Sequence, residues 1–69
     1  MNIIVKNKLK DILNQKGIKH IWLAEELNVS KATISNILNN KQQPSIETTY
    51  KIAILLNLEI DDIFFYKKV

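Results

Sequence analysis

Apolar residues recur three and four positions apart along most of the chain, which is the pattern of helices that bury one face. The first stripe consists of Leu9, Ile12 and Leu13, and it predicts a helix over residues 6–16. Gly17 comes directly after this segment, and glycine most readily takes the left-handed conformation that ends a helix. We therefore expect the first helix to end at Gly17.

Similar stripes follow along the rest of the chain, and short polar segments separate them. Asn28 tolerates a left-handed turn almost as well as glycine, and Ser30 is a good N-cap for the stripe after it. Beyond a polar turn around Pro44, Ser45 caps the next stripe and Asp61 caps a last short one. These signals predict helices over residues 20–27, 31–39, 46–56 and 62–64.

Both ends of the chain depart from the helical spacing. Residues 3–5 and 64–66 are short β-branched or aromatic runs followed by lysine, and each is typical of a strand of about three residues. With one Gly and one Pro, the chain lacks the turn residues that an all-β fold requires. The prediction is a single all-α domain over residues 1–69, with a short two-stranded antiparallel sheet formed by its ends.

Composition narrows the chemistry that this domain can perform. The net charge is +3 and all ten basic residues are lysines, which fits a nucleic-acid partner, an acidic protein partner or solubility alone. With no cysteine and one histidine, we expect no disulfide, no metal site and no cofactor. No apolar run approaches the ~18 residues that span a bilayer, so we expect a cytoplasmic protein with no membrane contact.

The third predicted helix has two sides of different chemistry. At about 100° per residue, Ile34, Ile37 and Leu38 share one side. The opposite side is small, polar and free of acids, and consists of Lys31, Ala32, Ser35, Asn36 and Asn39. Amides, hydroxyls, a methyl group and a cation match the groups that read base edges in the DNA major groove. The alternative is a solvated helix that happens to lack acidic residues.

The residues before this helix favour the DNA interpretation. Ala24 is small enough for the third helix to cross close to it, and Asn28 supplies the sharp turn between the two helices. Residues 20–39 thus have the layout of a helix-turn-helix, and residues 9–64 resemble the Cro and phage-repressor (Xre-like) family. The resemblance implies a compact five-helix, lambda-repressor-like domain. It also implies a sequence-specific double-stranded DNA-binding transcriptional regulator, a repressor, that docks residues 31–39 in the major groove.

The resemblance also implies roles for individual residues. Lys31, Ala32 and Asn36 match the base-reading positions of the family. His20 starts the second helix, where the family usually has a residue that touches a phosphate; a simple surface histidine is the alternative. The other candidate contacts with the DNA backbone are Lys19, Ser30, Thr33, Ser35, Asn39, Asn40 and Lys41.

Three departures from the family pattern have consequences. Leu13 and Leu38 occupy positions where the family often pairs an Arg with a Glu, and an apolar pair of similar volume can replace a buried ion pair. Arginine is absent, so bidentate reading of guanine is lost and we expect an operator that leans to A·T pairs. Trp22 and Ile21 stand where the family tends to have acids. Trp22 should face away from the core, either as a partner contact or with its edge on the first helix.

The fourth helix is apolar beyond its inward stripe, and the end of the chain adds further apolar residues. This is more apolar surface than a small monomer is expected to expose. We predict a homodimer that binds a palindromic operator, with its two recognition helices roughly 34 Å apart. The alternative is that Leu55 and Phe65 complete the core of a monomer. The predicted interface consists of Tyr50, Ile54, Leu55, Leu58, Ile60, Phe65 and Tyr66.

Two other functions fit parts of the sequence. A protein-interaction module of the same fold, such as an antitoxin or a co-regulator, would bind a regulatory protein partner through Trp22 and the fourth helix. An enzyme is disfavoured, because the adjacent acids Glu25-Glu26 and Asp61-Asp62 point in different directions on helices and no nucleophile has a base at useful spacing. We therefore predict DNA binding without catalysis.

Overall fold

Five helices and two terminal strands make up the fold, and the computed structural model describes all of residues 1–69. The strands are β1 (Ile3–Asn7) and β2 (Phe64–Lys68). The helices are α1 (Leu9–Lys16), α2 (His20–Leu27), α3 (Lys31–Leu38), α4 (Ile46–Leu56) and α5 (Ile60–Ile63). The predicted fold class, all-α with a small sheet formed by the chain ends, is confirmed. None of the helices combines the length and the apolar character that a bilayer crossing requires.

One apolar core lies between the helices, and every helix contributes to it. Its fully buried large side chains are Leu9, Leu13, Leu23, Ile37, Ile52 and Ile63. Burial of a side chain of this size stabilises the fold by about 1.5–3 kcal/mol. Leu13 and Leu38 are both buried in this cluster. The two positions where the family often has an Arg and a Glu thus belong to the apolar core.

The predicted helix ends in the middle of the chain are confirmed in their local geometry. Gly17, Asn28 and Asn57 take left-handed conformations with φ of 69°, 55° and 55°. The hydroxyl groups of Ser30 and Ser45 each accept a hydrogen bond from the backbone N–H three residues later, at 3.0 and 3.1 Å. These caps satisfy donors that the first turn of a helix leaves without a partner.

The first helix begins later than predicted. Residues 6–7 belong to β1, and α1 starts at Leu9. β1 pairs antiparallel with β2 over five residues of each strand, so the sheet is longer than the sequence indicated. Asn7 marks the change from strand to helix, because its Oδ1 accepts the N–H of Leu9 at 3.0 Å.

The third helix ends one residue earlier than predicted, at Leu38. Asn40 takes a left-handed conformation with φ of 59°. Its N–H donates to the C=O of Ile37 at 3.1 Å, and the N–H of Lys41 donates to the C=O of Asn36 at 2.9 Å. This pair of bonds is the Schellman arrangement, which satisfies the last carbonyl groups of a helix.

The fifth helix spans Ile60–Ile63 rather than residues 62–64. Its N-cap is Glu59, whose N–H donates to a carboxylate oxygen of Asp62 at 2.9 Å within a reciprocal capping box. The prediction that Asp61 caps this helix is wrong. β2 takes the residue directly after Ile63, so the helical turn has to start earlier in the chain.

Three amide side chains join β1 to the loop between α3 and α4, and we call Asn7, Asn40 and Gln43 the amide cluster. Asn7 is 4% exposed, and its Nδ2 donates to Gln43 Oε1 at 2.8 Å and to the C=O of Ile37 at 2.9 Å. Asn40 accepts the backbone N–H of Asn7 on Oδ1 at 2.8 Å and donates from Nδ2 to the C=O of Asn7 at 3.1 Å. Gln43 Nε2 donates to Asn40 Oδ1 at 2.9 Å. The cluster therefore ties the start of α1 to the end of α3.

Candidate nucleic-acid interface

The helix-turn-helix formed by α2 and α3 turns one side of α3 outward. The turn between the helices uses the left-handed Asn28, and Val29 packs against the core directly after it. Ala24 is buried. The buried side of α3 is formed by Ile34, Ile37 and Leu38. The opposite side of α3 is therefore turned away from the core.

The three predicted base-reading residues lie on this outward side. Lys31 and Ala32 are exposed, and Asn36 is half-buried. Asn36 Nδ2 lies 3.5 Å from Gln42 Oε1, so a second amide adjoins the predicted base reader. Gln42 was not among the predicted site residues, because only the return of the chain after α3 places it beside Asn36.

Several predicted backbone contacts line a hollow between α1, α2 and α3, which we call the basic hollow. Its polar and basic lining residues are Lys10, His20, Lys31, Ser35 and Asn39, and no carboxylate lines it. Lys10 Nζ donates to Asn39 Oδ1 at 3.4 Å, and Asn39 Nδ2 donates to the C=O of Ser35 at 3.0 Å. The sequence did not indicate Lys10 as a site residue, because its neighbours in the hollow are distant in the chain.

The N-terminus of α2 is open to an anion. Lys19 is the exposed N-cap residue, and its side chain makes no capping hydrogen bond. The first turns of α2 and α3 contain no acid, whereas α1, α4 and α5 each have one or more there. A free helix N-terminus attracts a phosphate through its N–H groups and the helix dipole. The absence of a nearby carboxylate leaves that attraction intact.

The remaining predicted backbone contacts differ in what their side chains already bind. The Ser30 hydroxyl accepts the N–H of Thr33 and donates to Thr33 Oγ1, both at 3.0 Å, so both hydroxyls take part in a helix cap. Asn40 is half-buried and its amide bonds within the amide cluster. Lys41 is exposed directly after it. The single ion pair of the chain joins Lys51 to Glu47 on α4 at 3.4 Å, away from these lysines in the sequence.

A second surface of the molecule is apolar. Tyr50 and Ile54 on α4 are 59% and 79% exposed, and Tyr66 on β2 is exposed as well. Beside Tyr50 lies a groove, which we call the apolar groove, lined by Val5, Gln43, Pro44, Ile46, Thr49, Tyr50, Ile60 and Phe64. A second hollow, which Tyr50 also lines, includes Ile54, Leu58 and Ile60.

Two residues of the predicted dimer interface, Leu55 and Phe65, are less exposed than Tyr50 and Ile54. Leu55 remains 38% exposed, and Phe65 is half-buried, so neither completes the core in the way that the monomer alternative requires. Phe65 pairs with Lys6 in the sheet, whereas Tyr66 pairs with Val5. Successive residues of a strand point to opposite faces. Phe65 therefore lies on the sheet face opposite Tyr66, where the ammonium group of Lys8 is 6.0 Å from its ring centre.

Trp22 faces away from the core, as predicted, and is 39% exposed. It lines a small hollow with Gly17, Ile18 and Lys19 at the corner between α1 and α2. This corner is separate from both the basic hollow and the apolar groove, which share no residue with it.

Comparison with known sequences identifies related proteins. The model of the family described as Helix-turn-helix matches residues 9–63. An uncharacterised HTH-type transcriptional regulator of Methanocaldococcus jannaschii is 38% identical over 63 residues, covering 91% of this chain and 96% of that protein. The ImmF control region 10 kDa protein of Bacillus phage phi105 is 36% identical over 53 residues, covering 77% of this chain and 59% of that protein.

Two solved structures have the same fold. A Bacteroides fragilis protein assigned to DNA binding matches with a TM-score of 0.84 and 35% identity, over 90% of this chain and 100% of that one. A transcriptional regulator from Listeria innocua matches with a TM-score of 0.75 and 23% identity, over 93% of this chain and 64% of that one. Fold and sequence together define a helix-turn-helix domain of the phage-repressor type. The chain belongs to the Xre-like helix-turn-helix family.

Proposed function

We propose that this chain is a sequence-specific transcriptional regulator that binds double-stranded DNA by placing α3 in the major groove. The observation that carries the proposal is the outward side of α3, which presents a cation, a methyl group, hydroxyls and amides but no acid. DNA phosphates repel carboxylates, so the absence of acids from this side favours its contact with DNA. The relative from Methanocaldococcus jannaschii, which is described as an HTH-type transcriptional regulator, supports the same function.

Three side chains of α3 supply the proposed reading of bases. The amide of Asn36 can donate to N7 of adenine and accept from the N6 amino group of the same base, a bidentate pair worth about 1–3 kcal/mol of discrimination. The methyl group of Ala32 packs on the thymine methyl group. Lys31 reaches guanine acceptors as a point charge, with less discrimination than an arginine fork provides.

The basic hollow supplies the proposed grip on the DNA backbone. The open N-terminus of α2 binds one phosphate together with His20, as its free N–H groups and dipole favour. Lys10 and Asn39 reach the same strand from α1 and α3, and Lys41 holds a phosphate beyond the end of α3. These contacts orient α3 and carry no sequence information of their own.

We further propose that two copies bind a palindromic operator and repress transcription by occupying it. The apolar groove and the exposed side chains of Tyr50, Ile54 and Tyr66 support the dimer, since water contact with so much apolar surface is unfavourable for a small protein. A two-fold dimer presents two recognition helices to successive major grooves on one side of the duplex.

Selection of bound sites from random duplex DNA is expected to return a palindrome with half-sites rich in A·T pairs, because arginine is absent. Asn36→Ala should relax one position of each half-site by about 1–3 kcal/mol. Lys41→Ala should weaken all sites alike and lower the salt slope by about one for each bound copy, or about two for the dimer. A G·C-rich consensus would contradict base reading by Asn36. Failure to enrich any site would contradict the proposed function itself.

At tens of micromolar, analytical ultracentrifugation is expected to show a dimer of the 8.0 kDa chain. Ile54→Lys should weaken the dimer by about 2 kcal/mol, or roughly thirtyfold in Kd, because it places a charge in an apolar interface. Ile21→Lys is the matched control, since Ile21 is also exposed but lies on α2, outside both the apolar groove and the neighbouring hollow that Ile54 lines. A wild-type chain that sediments as a monomer under these conditions would overturn the dimer.

The second candidate function is protein binding without DNA, as in an antitoxin or a co-regulator. The exposed Trp22 favours it, because the DNA proposal assigns no role to this indole. A single stoichiometric partner in a pull-down, together with no DNA shift at low salt, would select this function over the first.

A further inference from the structure

The loop between α3 and α4 carries Lys41, and the structure fixes its course from two sides. From α3, the C=O of Asn36 accepts the N–H of Lys41 at 2.9 Å and the N–H of Gln42 at 3.3 Å. From β1, the backbone N–H and C=O of Asn7 both bond to the side chain of Asn40, the residue directly before Lys41. The exposed lysine therefore follows a backbone that is held on both sides.

The side chain of Asn40 does more than permit a turn. Asn28 and Asn57 take the same left-handed conformation at other helix ends, and their side chains are exposed. At Asn40 the amide instead joins two partners, since its Oδ1 accepts from Asn7 at 2.8 Å and from Gln43 at 2.9 Å. Glycine would satisfy the backbone conformation equally well. The choice of asparagine at this position is explained by the cluster.

We propose that the amide cluster is a positioning unit for DNA binding, in which Asn7 and Gln43 act through Asn40 to hold Lys41 in register with α3. This inference rests on the proposed function. None of the three amides has to touch DNA, and Asn7 is too buried to do so. A loop that is already ordered loses less conformational freedom when it binds a phosphate, so the cluster raises affinity by preorganisation.

A double-mutant cycle between Gln43 and Lys41 tests the proposal with a duplex selected by the wild-type chain. Gln43→Met keeps the length of the side chain and removes the bonds to Asn7 and Asn40. We expect it to weaken binding about tenfold, equivalent to 1.4 kcal/mol. It should also lower the salt slope by about one for each bound copy, although no charge is changed, because Lys41 no longer neutralises its phosphate. In the Lys41→Ala background, Gln43→Met should cause no further loss.

The control is Gln15→Met, at an exposed glutamine of α1, which should change neither the affinity nor the salt slope. All variants are compared at a temperature where circular dichroism shows them folded. Asn40→Gly leaves Gln43 in place and also breaks the amide cluster, so it should lower the salt slope of DNA binding by the same amount as Gln43→Met. A wild-type chain that binds no duplex would overturn the proposed function. The positioning role alone would be overturned if the wild-type chain binds the duplex but Gln43→Met leaves the salt slope unchanged and causes the same loss of affinity in the wild-type and Lys41→Ala backgrounds.

Discussion

Asn40→Gly is expected to lower the free energy of unfolding by about 2–3 kcal/mol, because it removes three hydrogen bonds that each contribute about 1 kcal/mol. The substitution also leaves the backbone N–H and C=O of Asn7 without their side-chain partner. Glycine fits the left-handed φ of 59° without strain, so the loss reports on the side chain rather than on the turn. In a domain of this size the midpoint of thermal unfolding should fall by roughly 10–20 °C.

Asn57→Gly is the matched control for this prediction. Asn57 ends α4 with φ of 55°, and its side chain is exposed. The same exchange should therefore change the free energy of unfolding by no more than about 0.5 kcal/mol. Thermal unfolding followed by circular dichroism compares the two variants directly. Equal shifts in the two midpoints would mean that the amide cluster contributes nothing to stability.

The middle of the chain was predictable because its signals are local. Ser30 caps α3 through a backbone N–H three residues away, and Asn28 and Gly17 end helices through their own backbone conformations. The apolar stripes identified the buried sides of the helices for the same reason, since neighbours at i+3 and i+4 share a side. The outward side of α3 followed directly from its buried side, which is why the sequence could indicate the candidate site.

The parts that were missed depend on contacts between distant segments. Asn7 bonds to Asn40 across 33 positions, and Lys10 bonds to Asn39 across 29. A lysine and an asparagine before an apolar stripe look like the outward face of a helix, so the sequence predicts residues 6–7 as part of the first helix. Pairing with β2 instead places them in a strand. No local pattern distinguishes Asn40, whose amide bonds inward, from a loop asparagine free to contact DNA.

Ala32→Glu is expected to weaken binding of the selected duplex by about 100-fold, or roughly 2.7 kcal/mol. The substitution replaces a methyl group that would pack on thymine with a carboxylate that lies among phosphates in the groove. The fold should be unaffected, because Ala32 is exposed and an acid in the first turn of a helix interacts favourably with the helix dipole. The variant therefore tests the DNA contact of the outward side of α3 without changing how the helix packs on the core.

Gln15→Glu provides the matched change in net charge. Gln15 is exposed on α1, about 140° around that helix from Lys10 and so away from the basic hollow. Its effect on affinity should stay within about threefold, which corresponds to long-range repulsion screened by salt. If Ala32→Glu loses more affinity than this, the excess is caused by the position of the new charge on α3 and not by the change in net charge.

The most direct test of DNA reading by α3 is the Kd of the wild-type chain, Ala32→Glu and Gln15→Glu for one selected duplex at one salt concentration. Insertion of α3 into the major groove predicts a loss of about 100-fold for Ala32→Glu and near-wild-type affinity for Gln15→Glu. Equal losses in the two variants, or no loss in Ala32→Glu, would contradict the placement of this side of α3 against the bases.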